Sequence, residues 1–195
     1  MKATKPDRRT ERSRQALMSA FVQILLEEGF ESVSVERVAA RANVGRSTFY
    51  MHYKSKEDIL RQSMTNPSIS LAKLVGGNLT VESILPLLEH FKEQRKRNRI
   101  FFLWPIRPIW VSRLAELIEP RLATLVRVAG GRPIVPLPLL ALQIAEGQIG
   151  LVANWLLGQQ AVRNEAVAEA LLAATRASVA ALLRPRTGAS LFIAG

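Results

Sequence analysis

Residues 34–56, SVERVAARANVGRSTFYMHYKSK, restrict the fold more than any other stretch of this chain. Ser34 is suited to cap a helix, because its hydroxyl can accept a first-turn backbone N–H that has no partner within the helix. Val35, Val38, Ala39 and Ala42 then recur at helical spacing and give that helix one buried face. Asn43-Val44-Gly45 breaks the pattern. Asn tolerates the left-handed backbone that ends a helix, Val44 fills the gap between two helices, and Gly45 permits a sharp change of direction. A second short helix is predicted over about 46–53, burying Phe49 and Tyr53 four residues apart. Ser55-Lys56-Glu57-Asp58 reads as a capping box that opens another helix, with Asp58 in the reciprocal position.

The outward side of the second helix carries Arg46, Ser47, Tyr50 and His52, with Thr48 at its edge. Together with Lys56 these residues offer donors for base edges and for phosphates, and no acid occurs between Arg37 and Lys56. Two short helices with a four-residue joint also occur where the polar side is merely solvated. The choice of residues, more than the joint, points to DNA.

The segment resembles the tetracycline-repressor (TetR) family of transcription regulators. The resemblance is carried by Phe30-Glu31-Ser32-Val33-Ser34-Val35, Val38-Ala39, Ala42-Asn43-Val44-Gly45, Ser47-Thr48-Phe49-Tyr50, His52-Tyr53 and Lys54-Ser55-Lys56-Glu57, in order and at matching spacing from about Thr10 to Leu60. Asn43 replaces a more usual Gly, Ser34 a Thr, and Gly45 stands where Ser or Thr normally caps the recognition helix. The resemblance implies an all-α protein, with an N-terminal three-helix helix-turn-helix head and a C-terminal helical body for ligand binding and dimerisation. It implies base-edge contacts from Arg46 and Ser47, with Tyr50 shared between base and phosphate. Phosphate contacts then fall to Ser34, Thr48, His52 and Lys56, and Arg37 can reach either.

At 195 residues and 48% hydrophobic, the chain is long and apolar enough for a real core, which argues against disorder. It has no Cys, which excludes disulfides and thiolate metal sites and fits the cytoplasm. The N-terminus MKATKPDRRTERSR is too charged for a signal peptide, and no uninterrupted apolar run reaches about 18 residues, so no membrane partner is expected. The net charge of +11 is uneven: residues 1–60 hold 11 Lys/Arg against 8 Asp/Glu, and the remainder holds 16 against 8. Most of the excess therefore lies outside the helix-turn-helix segment. Overall basicity favours polyanionic partners, although a solvated surface gives the same sum.

Along the chain, residues 1–9 form a basic arm with Lys2, Lys5, Arg8 and Arg9, able to lie along phosphates or remain solvated. A helix over 10–28 places Leu17, Ala20, Phe21, Ile24 and Leu25 on one face and stops at Gly29, with Phe30 and Val33 anchoring the link that follows. The helix after Ser55 carries Ile59, Leu60 and Met64, and Pro67 either kinks it or restarts it before Leu71 and Leu74. Gly76-Gly77-Asn78 is a loop. The expected division is a DNA-binding domain over 1–66 and a ligand-binding and dimerisation domain over 67–195.

Thr80 is expected to cap one helix reaching about Asn98, buried through Ile84, Leu87, Leu88 and Phe91. Lys92, Arg95, Lys96, Arg97 and Arg99 form a basic run, either a solvated helix end or a site for an anionic partner. The prolines in IFFLWPIRPIW (100–110) exclude one regular helix there. Phe101, Phe102, Trp104 and Trp110, with His90, are candidates for a ligand pocket, though core filling explains the aromatics equally. A helix over 109–129, with a possible bend at Pro120, ends at Gly130-Gly131. The helix over 138–157 is apolar nearly all round, with Gly147 and Gly150 open to close approach of another backbone. Asn164 is expected to cap a last helix over 165–183, striped by Ala166, Ala170, Ala173, Ala177 and Ala181. Such a pair suits a four-helix bundle across a two-fold axis, which is how the resembled family builds its dimer. The apolar tail SLFIAG has no assigned role.

No nucleophile, base and stabiliser come together in the sequence, so no enzyme, no cofactor and no metal site are expected. Two His residues, one in each predicted domain, fall short of a ligand set. The expected function is a homodimeric repressor that binds double-stranded operator DNA and is released by a small-molecule inducer. The alternatives are a regulator without such an inducer, and an all-helical dimer that binds nucleic acid without sequence choice.

Overall fold

A computed structural model describes residues 8–129, 132–158 and 161–184. The basic-arm residues Lys2 and Lys5, the Gly130-Gly131 pair and the apolar tail at 190–195 lie outside the described residues. The chain is all-α, with ten α-helices among the described residues and a two-residue antiparallel pairing of Arg132 with Arg184 and Pro133 with Leu183. It divides into two compact units, residues 1–64 and 65–195.

The first unit holds α1 (Arg8–Glu28), α2 (Val35–Arg41), α3 (Arg46–His52) and α4 (Lys56–Ser63), and α1 packs on the other three. The buried face of α1 is Leu17, Ala20, Phe21, Ile24 and Leu25, as its spacing predicts. It ends at Gly29, whose φ of 84° is a left-handed value that costs a side-chain-bearing residue energy. Val33 and Phe30 are buried in the link, and Ser34 then caps α2 by accepting the Arg37 backbone N–H at 3.2 Å. Val38 and Ala39 form the buried face of α2; Phe49 and Tyr53 form that of α3. Ile59, Leu60 and Met64 complete this core.

Two local expectations need correction. The turn between α2 and α3 is made at Asn43, which takes φ 53°, and not at Gly45. Gly45 sits at φ −73°, ψ 154°, open to any residue, and a Cβ there would meet only Ser47 Oγ at 3.5 Å. Gly45→Ser therefore adds a side-chain cap to α3 without strain and should raise stability by a few tenths of a kcal/mol, read as a small upward shift of the unfolding midpoint in urea. The capping box of α4 is also displaced. Ser55 Oγ accepts the Asp58 N–H at 3.3 Å, but the Asp58 carboxylate accepts from Lys54, at 2.9 Å, one residue further back than Ser55.

In the second unit, α5 (Thr65–Ala72) carries Pro67 in its first turn, where the missing N–H has no helical partner to lose. After the turn at Gly76, a 3-10 turn over Val81–Ser83 leads into α6 (Leu85–Glu93), with Pro86 tolerated at its start. The single helix expected to reach Asn98 is broken at Gln94, and α7 (Arg95–Asn98) follows. Arg95 donates through Nε to Leu156 O at 2.7 Å and through Nη2 to Gly158 O, supplying donors to carbonyls at a distant helix end. That tertiary demand accompanies the break and removes Arg95 from the solvated basic run.

Helix α8 (Ile106–Ala129) follows a 3-10 turn at Arg99–Phe102 and continues through Pro120. It packs on α5 and on α9 (Leu137–Leu157), which packs in turn on α10 (Asn164–Leu182). By length and composition α9 could cross a membrane, but half of its apolar window is buried inside the unit, as befits a core helix. Asn164 is the first residue of α10 and not its cap: the preceding Arg163 holds the cap position, and the Asn164 side-chain oxygen accepts from Lys92 Nζ at 3.3 Å. The bulky side of α10, including Val167, Leu171, Leu172 and Val179, is buried.

Candidate nucleic-acid interface

Helix α3 is two turns long, too short to persist without packing, so its buried side fixes which residues face out. Phe49 and Tyr53 lock it from below, their ring centroids 5.6 Å apart. Burial also pushes the Tyr53 hydroxyl pKa up, and that hydroxyl donates to Arg14 O at 3.4 Å. Above them Arg46, Ser47 and Tyr50 are exposed together, with Tyr50 54% accessible although its ring stands edge-on to Phe49 at 5.7 Å. Thr48 lies half-buried at the edge of this face.

The remaining predicted contacts surround α3 and are held by the unit itself. His52 is half-buried, with Nε2 2.8 Å from Ser13 Oγ on α1. Lys56 Nζ lies 4.6 Å above the Phe30 ring and donates to Phe30 O at 3.4 Å. Ser34 spends its hydroxyl on the α2 cap. Arg37 pairs with Glu28 and donates to Ser32 O at 2.8 Å; the Glu28 carboxylate pKa is lowered, first by its hydrogen bond from Arg37. Arg46, Ser47 and Tyr50 are thus exposed together on α3, whereas Ser34, Arg37, His52 and Lys56 are each engaged by a partner within the unit.

Three residues of this face were not anticipated. Met51 is 74% exposed beside Ser47 and Tyr50, and its i+4 spacing from Ser47 was a usable signal. Ser13 orients His52, a pairing across 39 residues with no local trace. Glu36 pairs with Arg46, Oε1 to Nη2 3.3 Å, across the joint between helices. Among the described residues no three His, Cys, Asp or Glu side chains gather at a possible metal site.

The expected ligand pocket is not assembled as predicted. Phe102 and Trp110 are packed core, edge-on to Phe91 at 5.7 and 6.0 Å, and Trp110 Nε1 donates to buried Ser68 Oγ at 3.0 Å. Phe101 is half-buried 6.4 Å from Trp110, His90 is exposed, and Trp104 is 83% exposed. A proline-broken segment turned its aromatics in different directions, some into the core and some to solvent. A cavity of about 680 Å³ lies elsewhere, lined by Leu151, Asn154, Trp155, Val162, Ala166 and Ala170 among others. The candidate dimer residues fall on a common theme of exposure: Ala170, Ala173, Ala177 and Ala181 are exposed on α10, Ala166 is half-buried, and Gly147 on α9 has open space where a Cβ would stand. Gly150 is half-buried, and a Cβ there would meet the Arg107 guanidinium only at 3.9 Å.

Residues 17–62 match the family model for bacterial regulatory proteins of the tetR family. The chain is 38% identical over 56 residues to the uncharacterized HTH-type transcriptional regulator YxbF of Bacillus subtilis (strain 168), a match covering 28% of this chain and 15% of that protein. The chain spans well under half the length of the curated relatives it matches. A TetR transcriptional regulator from Streptococcus agalactiae 2603V superposes with a TM-score of 0.57 at 26% identity, over 87% of this chain and 96% of that one. Thermus thermophilus FadR, a TetR-family transcriptional repressor in complex with lauroyl-CoA, superposes with a TM-score of 0.51 at 18% identity, over 84% and 93%. At that identity the likeness is one of fold.

Proposed function

We propose that this chain is a member of the tetR family of bacterial regulators and works in the cytoplasm as a homodimeric repressor, reading a palindromic operator and leaving it when a small molecule binds the second unit. The observation that carries the reading is the shared exposure of Arg46, Ser47 and Tyr50 above buried Phe49 and Tyr53. A short helix so fixed presents its first turn to a major groove, with base edges for Arg46 and Ser47 and phosphates for Thr48, His52 and Lys56 around them. On the same reading Ser34 and Arg37 add contacts at the rim.

Support for the dimer comes from α10, whose bulky residues are buried while Ala170, Ala173, Ala177 and Ala181 stay exposed. A stripe of small residues lets a second helix approach closely, and two copies related by a two-fold axis would carry two heads to two half-sites. Support for an inducer is the acyl-CoA complex of the Thermus fold neighbour. Release by tenfold needs a ligand that prefers the non-binding arrangement by about 1.4 kcal/mol.

The test separates reading from holding. DNA fragments selected by the purified protein supply the operator. Arg46→Ala should then cost ~1–3 kcal/mol and relax sequence preference at one position of each half-site. Lys56→Ala should weaken binding to all sequences alike and lower the salt slope by about one. Equal loss of preference in both variants contradicts these roles.

A further inference from the structure

We propose that Glu36 is a specificity-determining residue of this face, acting with Arg46 as one unit that selects a guanine with a cytosine beside it in each half-site. This rests on the DNA-reading role of α3 given above. Glu36 stands in the first turn of α2 and Arg46 opens α3, and the left-handed turn at Asn43 between them brings Oε1 and Nη2 to 3.3 Å. Both side chains are more than half exposed, at 56% and 64%, so the pair is no part of a core and its attraction in water is slight. Its position matters more than its strength.

Glu36 is anionic at neutral pH. A hydrogen bond from its own backbone N–H holds its pKa below the usual carboxylate range, helped by the Arg46 charge and the Ser34 hydroxyl. A carboxylate on a face that meets DNA repels phosphates and lowers binding to every sequence. It is tolerated at a site that offers it a donor, which is how a repulsive group sharpens a choice. Base edges in the major groove supply the matching pair of groups. Guanine O6 and N7 accept from an arginine in bidentate fashion, and the cytosine N4 amino group donates to a carboxylate. Because the two groups touch, with Oε1 and Nη2 3.3 Å apart, they can reach only neighbouring base edges, so the pair addresses one base step. Guanine or thymine in place of the cytosine presents acceptor oxygens to the carboxylate and is rejected.

The experiment measures binding of the full chain to selected operator duplexes in which each half-site position is replaced in turn by the other three bases, alongside a scrambled duplex. Wild-type protein, Glu36→Gln and Glu36→Ala are compared, with thermal unfolding confirming that the head remains folded. The wild type should prefer cytosine over guanine and thymine at one position by about fivefold or more. In both variants that preference should fall toward unity, and binding to scrambled duplex should rise severalfold. A cytosine preference kept by both variants overturns the role of Glu36 while leaving the DNA-reading helix intact. A wild type without preference at any position overturns both.

Discussion

Replacing Phe49 by alanine should abolish DNA binding by unfolding the first unit, not by removing a contact to DNA. Phe49 is fully buried and meets both Tyr50 and Tyr53 at under 6 Å between ring centroids. Truncating a buried Phe to Ala costs about 3–5 kcal/mol, and a unit of this size has roughly 3–10 kcal/mol in total. Helix α3 has seven residues and no side-chain cap, so little else retains it once that ring is gone. Hydrogen exchange should show the α3 amides losing protection in Phe49→Ala while Arg46→Ala stays protected and still loses operator preference. Unchanged protection in Phe49→Ala would mean that α3 is held by something other than the packing described.

Ala177→Glu should turn a two-chain species into single chains. On an exposed helix of a monomer such a change stays within about 0.5 kcal/mol. At a two-fold interface it places carboxylates against a close-packed partner, and an uncompensated buried charge costs several kcal/mol. The same residue is therefore neutral in one account and disruptive in the other. Sedimentation at micromolar concentration should show the mass halved, with the helical content kept. Operator affinity should fall by ~10²–10⁴, because two linked heads bind far better than one. A variant that remains dimeric and binds as the wild type would remove the alanine stripe from the interface.

The head was the legible part of the sequence because its signals are local. Ser34 and Ser55 announce caps, Asn43 announces a left-handed turn, and the spacing from Leu17 to Leu25 sets the α1 face within a few residues. What the sequence hid depends on partners far along the chain. Nothing near Gln94 signals the break before α7; Arg95 is bonded to carbonyls more than sixty residues away. Asn164 has the composition of a cap but lies opposite Lys92, which takes its side-chain oxygen. Phe102 and Trp104 look alike as pocket candidates, yet one is core and the other solvent-facing, because the intervening backbone turns between them. At the interface the outward residues of α3 followed from the period of one helix. Glu36 and Ser13 did not, since each meets its partner across a turn or from another helix.

The most direct measurement is the binding of purified protein, by anisotropy at fixed salt, to an operator duplex selected from genomic DNA and to the same bases scrambled, with the number of chains per duplex counted. Specific binding should exceed the scrambled duplex by ~10³ or more, with two chains on each palindrome. Equal affinity for both duplexes, or one chain bound at saturation, would contradict a dimer that reads sequence through α3.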